Sequence, residues 1–154
     1  RRQSPRSNRE IRMTDMSNRE PLAGASGSPL GHARLQTIVW TSRKDQAPAF
    51  YGGTLGLPLM RESHEALVYT VGDSELRVSP VPSTEPSAHT VLGFEVEDVR
   101  KVVRALSDRG VRLERFAGFR HDADGIWTAP DGTEVVWFRG PDGNLLSAVR
   151  YGRK

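Results

Sequence analysis

Short apolar runs alternate along this chain with Gly, Pro and Asp punctuation, and the same order occurs twice. The first run, residues 35–41 (LQTIVWT), is β-branched and aromatic and predicts a strand. Asp45 follows as a candidate N-cap, and Pro48 fits a first helical turn, where its missing N–H costs nothing. Ala47, Phe50, Tyr51 and Leu55 give this helix a short apolar face, and Gly56 stops it. Residues 57–62, 66–71 and 75–81 read as three short strands, although 57–71 also reads as two strands or one bent one. Gly72-Asp73 makes a hairpin turn before the last strand. Residues 81–89 (VPSTEPSAH) have two Pro, three Ser/Thr and no period, and read as a linker.

The order then returns. Residues 90–96 (TVLGFEV) predict a strand, and Asp98 caps a helix with Val99, Val102, Val103 and Leu106 on one face. Gly110 stops it, and residues 111–116 alternate as a strand does. A longer loop, 117–131, precedes strands at 133–139 (TEVVWFR) and 145–151 (LLSAVRY). A Gly140-Pro141-Asp142-Gly143-Asn144 turn joins them: Pro presets φ, Asp bonds its own backbone, and Gly takes positive φ. The helix stops Gly56 and Gly110 lie 54 residues apart and the caps Asp45 and Asp98 lie 53 apart, which favours a duplicated βαβββ module. The expected fold class is α+β. The expected modules are residues 35–81 and 90–151, within a single domain at 33–154.

Composition changes this picture at one end only. Residues 1–30 hold six Arg against Glu10, Asp15 and Glu20, and the rest carries 16 Lys+Arg and 16 Asp+Glu. The whole formal charge of +3 therefore sits in a Ser/Asn/Arg/Gly/Pro-rich stretch, and the body is neutral. Residues 1–32 are expected to be a disordered leader, with Met13 and Met16 as alternative start residues. Nucleic-acid binding by the body is not expected, because the basic charge does not lie on a folded face. With no Cys, disulfides, thiolate metal sites and Cys nucleophiles are excluded. No apolar run approaches the roughly 20 residues that span a bilayer, and no secretory h-region occurs, so a cytoplasmic protein is expected, with no membrane partner.

Three stretches carry a family likeness. Phe50-Tyr51 with Leu55-Gly56-Leu57 is the first, and Phe94-Glu95-Val96-Glu97-Asp98-Val99 is the second. Trp137-Phe138-Arg139-Gly140-Pro141-Asp142-Gly143-Asn144-Leu145-Leu146 is the third and the most specific. Together they resemble the vicinal oxygen chelate superfamily of glyoxalases, bleomycin-resistance proteins and dioxygenases, departing at Gly140, where the family usually has Asp. The resemblance implies two modules forming a curved mixed sheet around a cleft, and a homodimer. It also implies four strand positions that hold a divalent metal in many members. Counted from the motifs, these fall on Gln36, Arg77, Val91 and Ser147, of which only Gln36 is a plausible ligand. Arg77 brings a fixed positive charge, Val91 has no lone pair, and Ser147 is a poor neutral ligand. A metal-free member without a cofactor is expected. A slip in register at Val91 would bring in His89, but would leave Arg77.

The candidate ligand-binding residues are Gln36, Ile38, Trp40, Arg77, Val91, Trp127 and Ser147. Arg77 is a bidentate clamp for an oxyanion if it points into the cleft, and a surface residue if it points outward. Ile38 and Trp40 share the face of Gln36 and would form an apolar wall. Trp127 lies in a loop and can stack a planar ligand, whereas Trp137 reads more simply as core. His121, Asp122 and Asp124 form either an acid/base or cation cluster or a solvated loop. His32 and His64 are expected to be exposed. No nucleophile elbow, phosphate-cradling loop or H-E-x-x-H occurs, so catalytic residues are not identifiable. The expected function is small-molecule binding, with an anionic or aromatic metabolite or drug as ligand. The alternative is a lyase, dioxygenase or cofactor-free isomerase of the same superfamily.

Overall fold

The computed structural model describes residues 27–153. Residues 36–153 belong to one compact unit and residues 27–35 to another. The expectations for residues 1–26 lie outside the described residues. Residues 27–35 are exposed, with a turn closed by the Ala33 N–H donating to the Leu30 carbonyl at 3.0 Å.

The larger unit contains β1 Thr37–Thr41, a π-helical segment Pro48–Thr54, β2 Leu59–Glu62, β3 Leu67–Val71 and β4 Ser74–Pro80. β5 Thr90–Glu95, α1 Val99–Asp108, β6 Leu113–Glu114, β7 Trp127–Thr128, β8 Glu134–Arg139 and β9 Leu145–Arg150 follow. The first sheet has the order β1-β4-β3-β2, and the second β5-β9-β8-β6, with β7 also on β8. In each sheet the first strand runs parallel to the last and the remaining pairs are antiparallel. The same four-strand order in both halves, with the short β7 added in the second, is the signature of two βαβββ modules, and the fold is α+β.

The second module follows its sequence closely. Asp98 caps α1 by accepting from the Lys101 N–H at 3.0 Å, and Gly110 leaves the helix at φ 78°. Val99, Val103 and Leu106 bury one stripe of α1 against the sheet. The first module departs at its helix. Asp45 does not cap it: the residue preceding the helix is Ala47, which makes no side-chain cap bond, and Pro48 opens the segment. The Leu55 N–H then reaches back five residues to the Phe50 carbonyl at 2.8 Å, so the turn is wider than an α-turn. β1 begins at Thr37, so that Leu35, 98% exposed, is not part of it, and its buried positions are Val39 and Thr41. The run 111–116 keeps strand pairing only at Leu113–Glu114. Trp127–Thr128, inside the expected loop, pairs with β8 further along the same edge.

One core joins the halves. Val39, Tyr51, Leu67, Tyr69, Leu76 and Val78 of the first module pack with Leu92, Leu106, Phe138 and Leu146 of the second. A fully buried Leu or Phe contributes about 1.5–3 kcal/mol, so this cluster dominates cohesion between the modules. The 140–144 turn adds polar contacts. Asp142 does not close on its own backbone. It accepts from the Thr41 Oγ1 at 2.6 Å and from the Ser42 N–H and Oγ at 2.7 and 2.8 Å, tying the end of β1 to the second module. Asn144 Oδ1 accepts from the Ser87 N–H at 2.9 Å, which fixes the irregular linker to the same turn.

Candidate functional site

Strand alternation gives each sheet one face toward the shared core and one open face. On the first sheet Leu76 and Val78 face the core, so Arg77 and Ser79 face the open side. Ile38 is the Cα partner of Arg77 and Trp40 that of Ser79. Ile38 and Trp40 are 42% and 54% exposed. Gln36, just before β1, is exposed and continues their alternation. Arg77 is therefore neither buried nor splayed into solvent. Its Nε donates to the Ser79 Oγ at 3.2 Å, which lays the guanidinium along the open face.

On the second sheet Val136 and Phe138 face the core, and Val135 and Trp137 face the open side. Trp137 is thus not a core residue. It is the Cα partner of Ser147, and Trp127 that of Val135, so all three share the open face. Val91 lies at a register shift between Thr90 and Leu92 and is 42% exposed; Gly93, not Val91, is the partner of Ser147.

An aromatic wall stands on this face. The Trp127 and Trp137 rings lie 6.1 Å apart with a 34° tilt. Phe119 meets Trp127 edge-on at 5.0 Å and Trp137 at 5.7 Å. Phe116 and His121 close on Trp137 at 5.5 and 5.9 Å. Phe116 and Phe119 were not among the expected residues. The signal was available as five rings (Phe116, Phe119, His121, Trp127 and Trp137) within 22 positions of a chain that is 7% aromatic.

The 117–131 loop is held in place by its polar residues. His121 Nε2 accepts from the Phe116 N–H at 3.1 Å, so its proton sits on Nδ1, which donates to the Gly125 carbonyl at 2.9 Å. Asp122 Oδ1 accepts from the Asp124 and Ile126 N–H groups, both at 2.9 Å. Arg100 pairs with Asp122 at 2.9 Å and with Asp124 at 2.8 Å. Desolvation acts to raise the Asp122 carboxyl, but the Ile126 N–H, the Arg100 guanidinium and the Asp124 N–H outweigh it and hold the group below its ordinary value. Of the two readings of this cluster, these contacts fit a loop held by its own polar groups, and the acid/base or cation alternative finds no free partner in it.

The donor set does not suit a divalent metal. The expected positions carry an amide, a guanidinium, a valine and a hydroxyl. Among the described residues no group of three or more His, Asp or Glu is placed to hold a metal ion. Four cavities in the described chain are lined by other side chains than the seven expected ones.

A sequence model of the Glyoxalase/Bleomycin resistance protein/Dioxygenase superfamily matches residues 30–147. The chain belongs to this superfamily. Its fold agrees with solved glyoxalase-superfamily structures. A glyoxalase family protein from Enterococcus faecalis superposes with a TM-score of 0.60 at 21% identity, over 77% of this chain and 98% of that one. A lactoylglutathione lyase from Agrobacterium tumefaciens gives 0.60 at 17% identity, over 77% and 93%. A bleomycin-binding protein complexed with bleomycin gives 0.60 at 19% identity, over 76% and 97%. The sequence matches no curated protein. Among the described residues no helix is long and apolar enough to cross a membrane.

Proposed function

We propose that this superfamily member binds a planar, anionic small molecule on its open sheet faces without a metal, and that it does so as a homodimer. The observation that carries the reading is the half-exposed aromatic wall of Phe119, Trp127 and Trp137 beside Ser147. Partly exposed rings contribute less to folding than buried ones, and they offer apolar surface to a ligand. Arg77 supplies the charge, with Ile38 and Trp40 beside it on the first sheet. Each open face lies on the side of its sheet opposite the shared core, so one chain does not close a cleft by itself. A second copy, laying the first open face of one chain against the second open face of its partner, brings Arg77 to the wall. Exposed Ile38, Trp40, Val91 and Phe119 supply apolar surface for that contact.

The enzymatic alternative needs a general base on these faces. His121 has both nitrogens on backbone groups, and Asp122 and Asp124 hold Arg100. Binding is therefore the better reading. It is tested by titrating tryptophan fluorescence with 2-naphthoate in the presence of EDTA. The expected result is saturable quenching that chelation leaves unchanged. Arg77→Ala and Trp127→Ala should each weaken binding roughly tenfold or more. Quenching that appears only with added divalent metal would overturn the metal-free reading. Turnover that survives chelation but is lost in Arg77→Ala would make the protein an enzyme.

A further inference from the structure

We propose that the helix side of the chain carries a second, amphipathic site, between the π-helical segment and α1, for a small organic anion with a short apolar tail. Two adjoining cavities make it. The first, of about 270 Å³, is walled by Leu57, Phe94, Val102, Leu106, Phe138 and Ala148. The second, of about 440 Å³, lies against Gln46, Arg112, Glu114 and Arg139. Thr54 and Arg109 line both, so an apolar chamber and a charged one share a rim.

The charge at that rim is unbalanced. Three guanidinium groups, Arg109, Arg112 and Arg139, face one carboxylate. Glu114 is paired with Arg139 at 3.5 Å. Among the described residues Arg109 and Arg112 have no carboxylate partner. Arg109 Nη1 donates to the Ala105 carbonyl at 2.9 Å, which holds the guanidinium over the last turn of α1 and leaves its other N–H groups to bind an oxyanion. Opposite it, the π-helical segment ends at Thr54. A π-turn is rare and recurs at functional sites. Here its wider final turn sets Thr54 and Leu55 at the cavity edge.

The apolar chamber falls just under the roughly 300–1,000 Å³ of drug-sized sites, which favours a short alkyl tail over a large ring system. A monocarboxylate with a medium alkyl chain satisfies both chambers. This site lies on the core side of the sheets and is independent of the open faces.

Isothermal titration with octanoate below its micellar concentration is the test, with acetate as the head-only control and octylammonium as the charge-reversed control with the same tail. The expected result is one octanoate per chain, with both controls binding far more weakly. Arg109→Gln should weaken octanoate roughly tenfold or more, the effect of one charge-assisted hydrogen bond. Ala105→Phe, which fills the apolar chamber, should weaken it similarly, and Arg77→Ala on the open face should leave it unchanged. Should Ala105→Phe fail to fold, octanoate-induced methyl shifts of Val102 and Leu106 in the unaltered protein replace it. No octanoate binding, equal binding of octylammonium, or loss of binding in Arg77→Ala with retention in Arg109→Gln would each overturn the proposal.

Discussion

Asp142 shows how much one side chain can do in this chain. Its three bonds to Thr41 and Ser42 cross about 100 residues of sequence and hold the modules in register. Asp142→Ala should destabilise the fold by about 2 kcal/mol, the order expected for hydrogen bonds to a charged, partly exposed acceptor, read as a lower urea midpoint. Tyr51, packed beneath the same turn, is the second case. Burial, reinforced by Asp142 and Tyr69, pushes its hydroxyl up to about 12. Its contribution is complete below pH 10 and is lost as pH rises through about 12, because the unfolded chain releases the proton first. Alkaline unfolding should therefore fall in that window, and Tyr51→Phe should flatten the dependence of stability on pH there. Asp122 works in the opposite sense. Its carboxyl is held below 3.8, so its contribution is present above that value and is lost as pH falls through the lower folded one. Loss of Trp fluorescence anisotropy on acidification should be shallower in Asp122→Asn.

At the scale of elements, the places where sequence and structure agree are those where local chemistry decides. Asp98, the stripe of α1 and the positive φ of Gly56, Gly72 and Gly110 are set by residues within a few positions. Asp98→Ala should cost about 1 kcal/mol of stability by the same urea assay, the usual value of an N-cap. The departures have tertiary causes. Pro48 marks the first turn of the first helix as its sequence suggests, but nothing near it records that Asp45 stays out of the cap or that the turn is of π type, since that turn is fitted to a core shared with Phe138 and Leu146. The short strand Trp127–Thr128 exists because β8 has an open edge beyond β6, which is a property of the sheet. Trp137 looked like core by composition. Period two along β8 puts it on the face opposite Val136 and Phe138, and the assignment of faces needs the position of α1.

The unit of residues 36–153 is two modules of one pattern joined through a common core, and both could be read from the repeated order of strands, helix and glycine stop, although of the two expected caps only Asp98 is one. Ile38, Trp40, Arg77, Val91 and Ser147 were legible as strand positions, whereas Trp127 read as a loop residue, and none of the candidates belongs to the shared core. That one chain does not gather them into a single cleft could not be read from the sequence, because it follows from which sides of the sheets pack together. The proposed homodimer supplies the missing wall, and sedimentation equilibrium should give a mass twice that of the 17.1 kDa chain. Trp40→Glu, a charge placed at the proposed contact, should shift the protein towards monomer without lowering the stability of the chain itself.

The binding of a planar anion to the open faces is tested most directly by amide chemical-shift mapping of 2-naphthoate on the metal-stripped protein. Saturable shifts are expected on β1, β4, β7, β8 and β9 around Ile38, Arg77, Trp127, Trp137 and Ser147. Shifts confined to the helix side, or absent until a divalent metal is added, would contradict binding to the open faces.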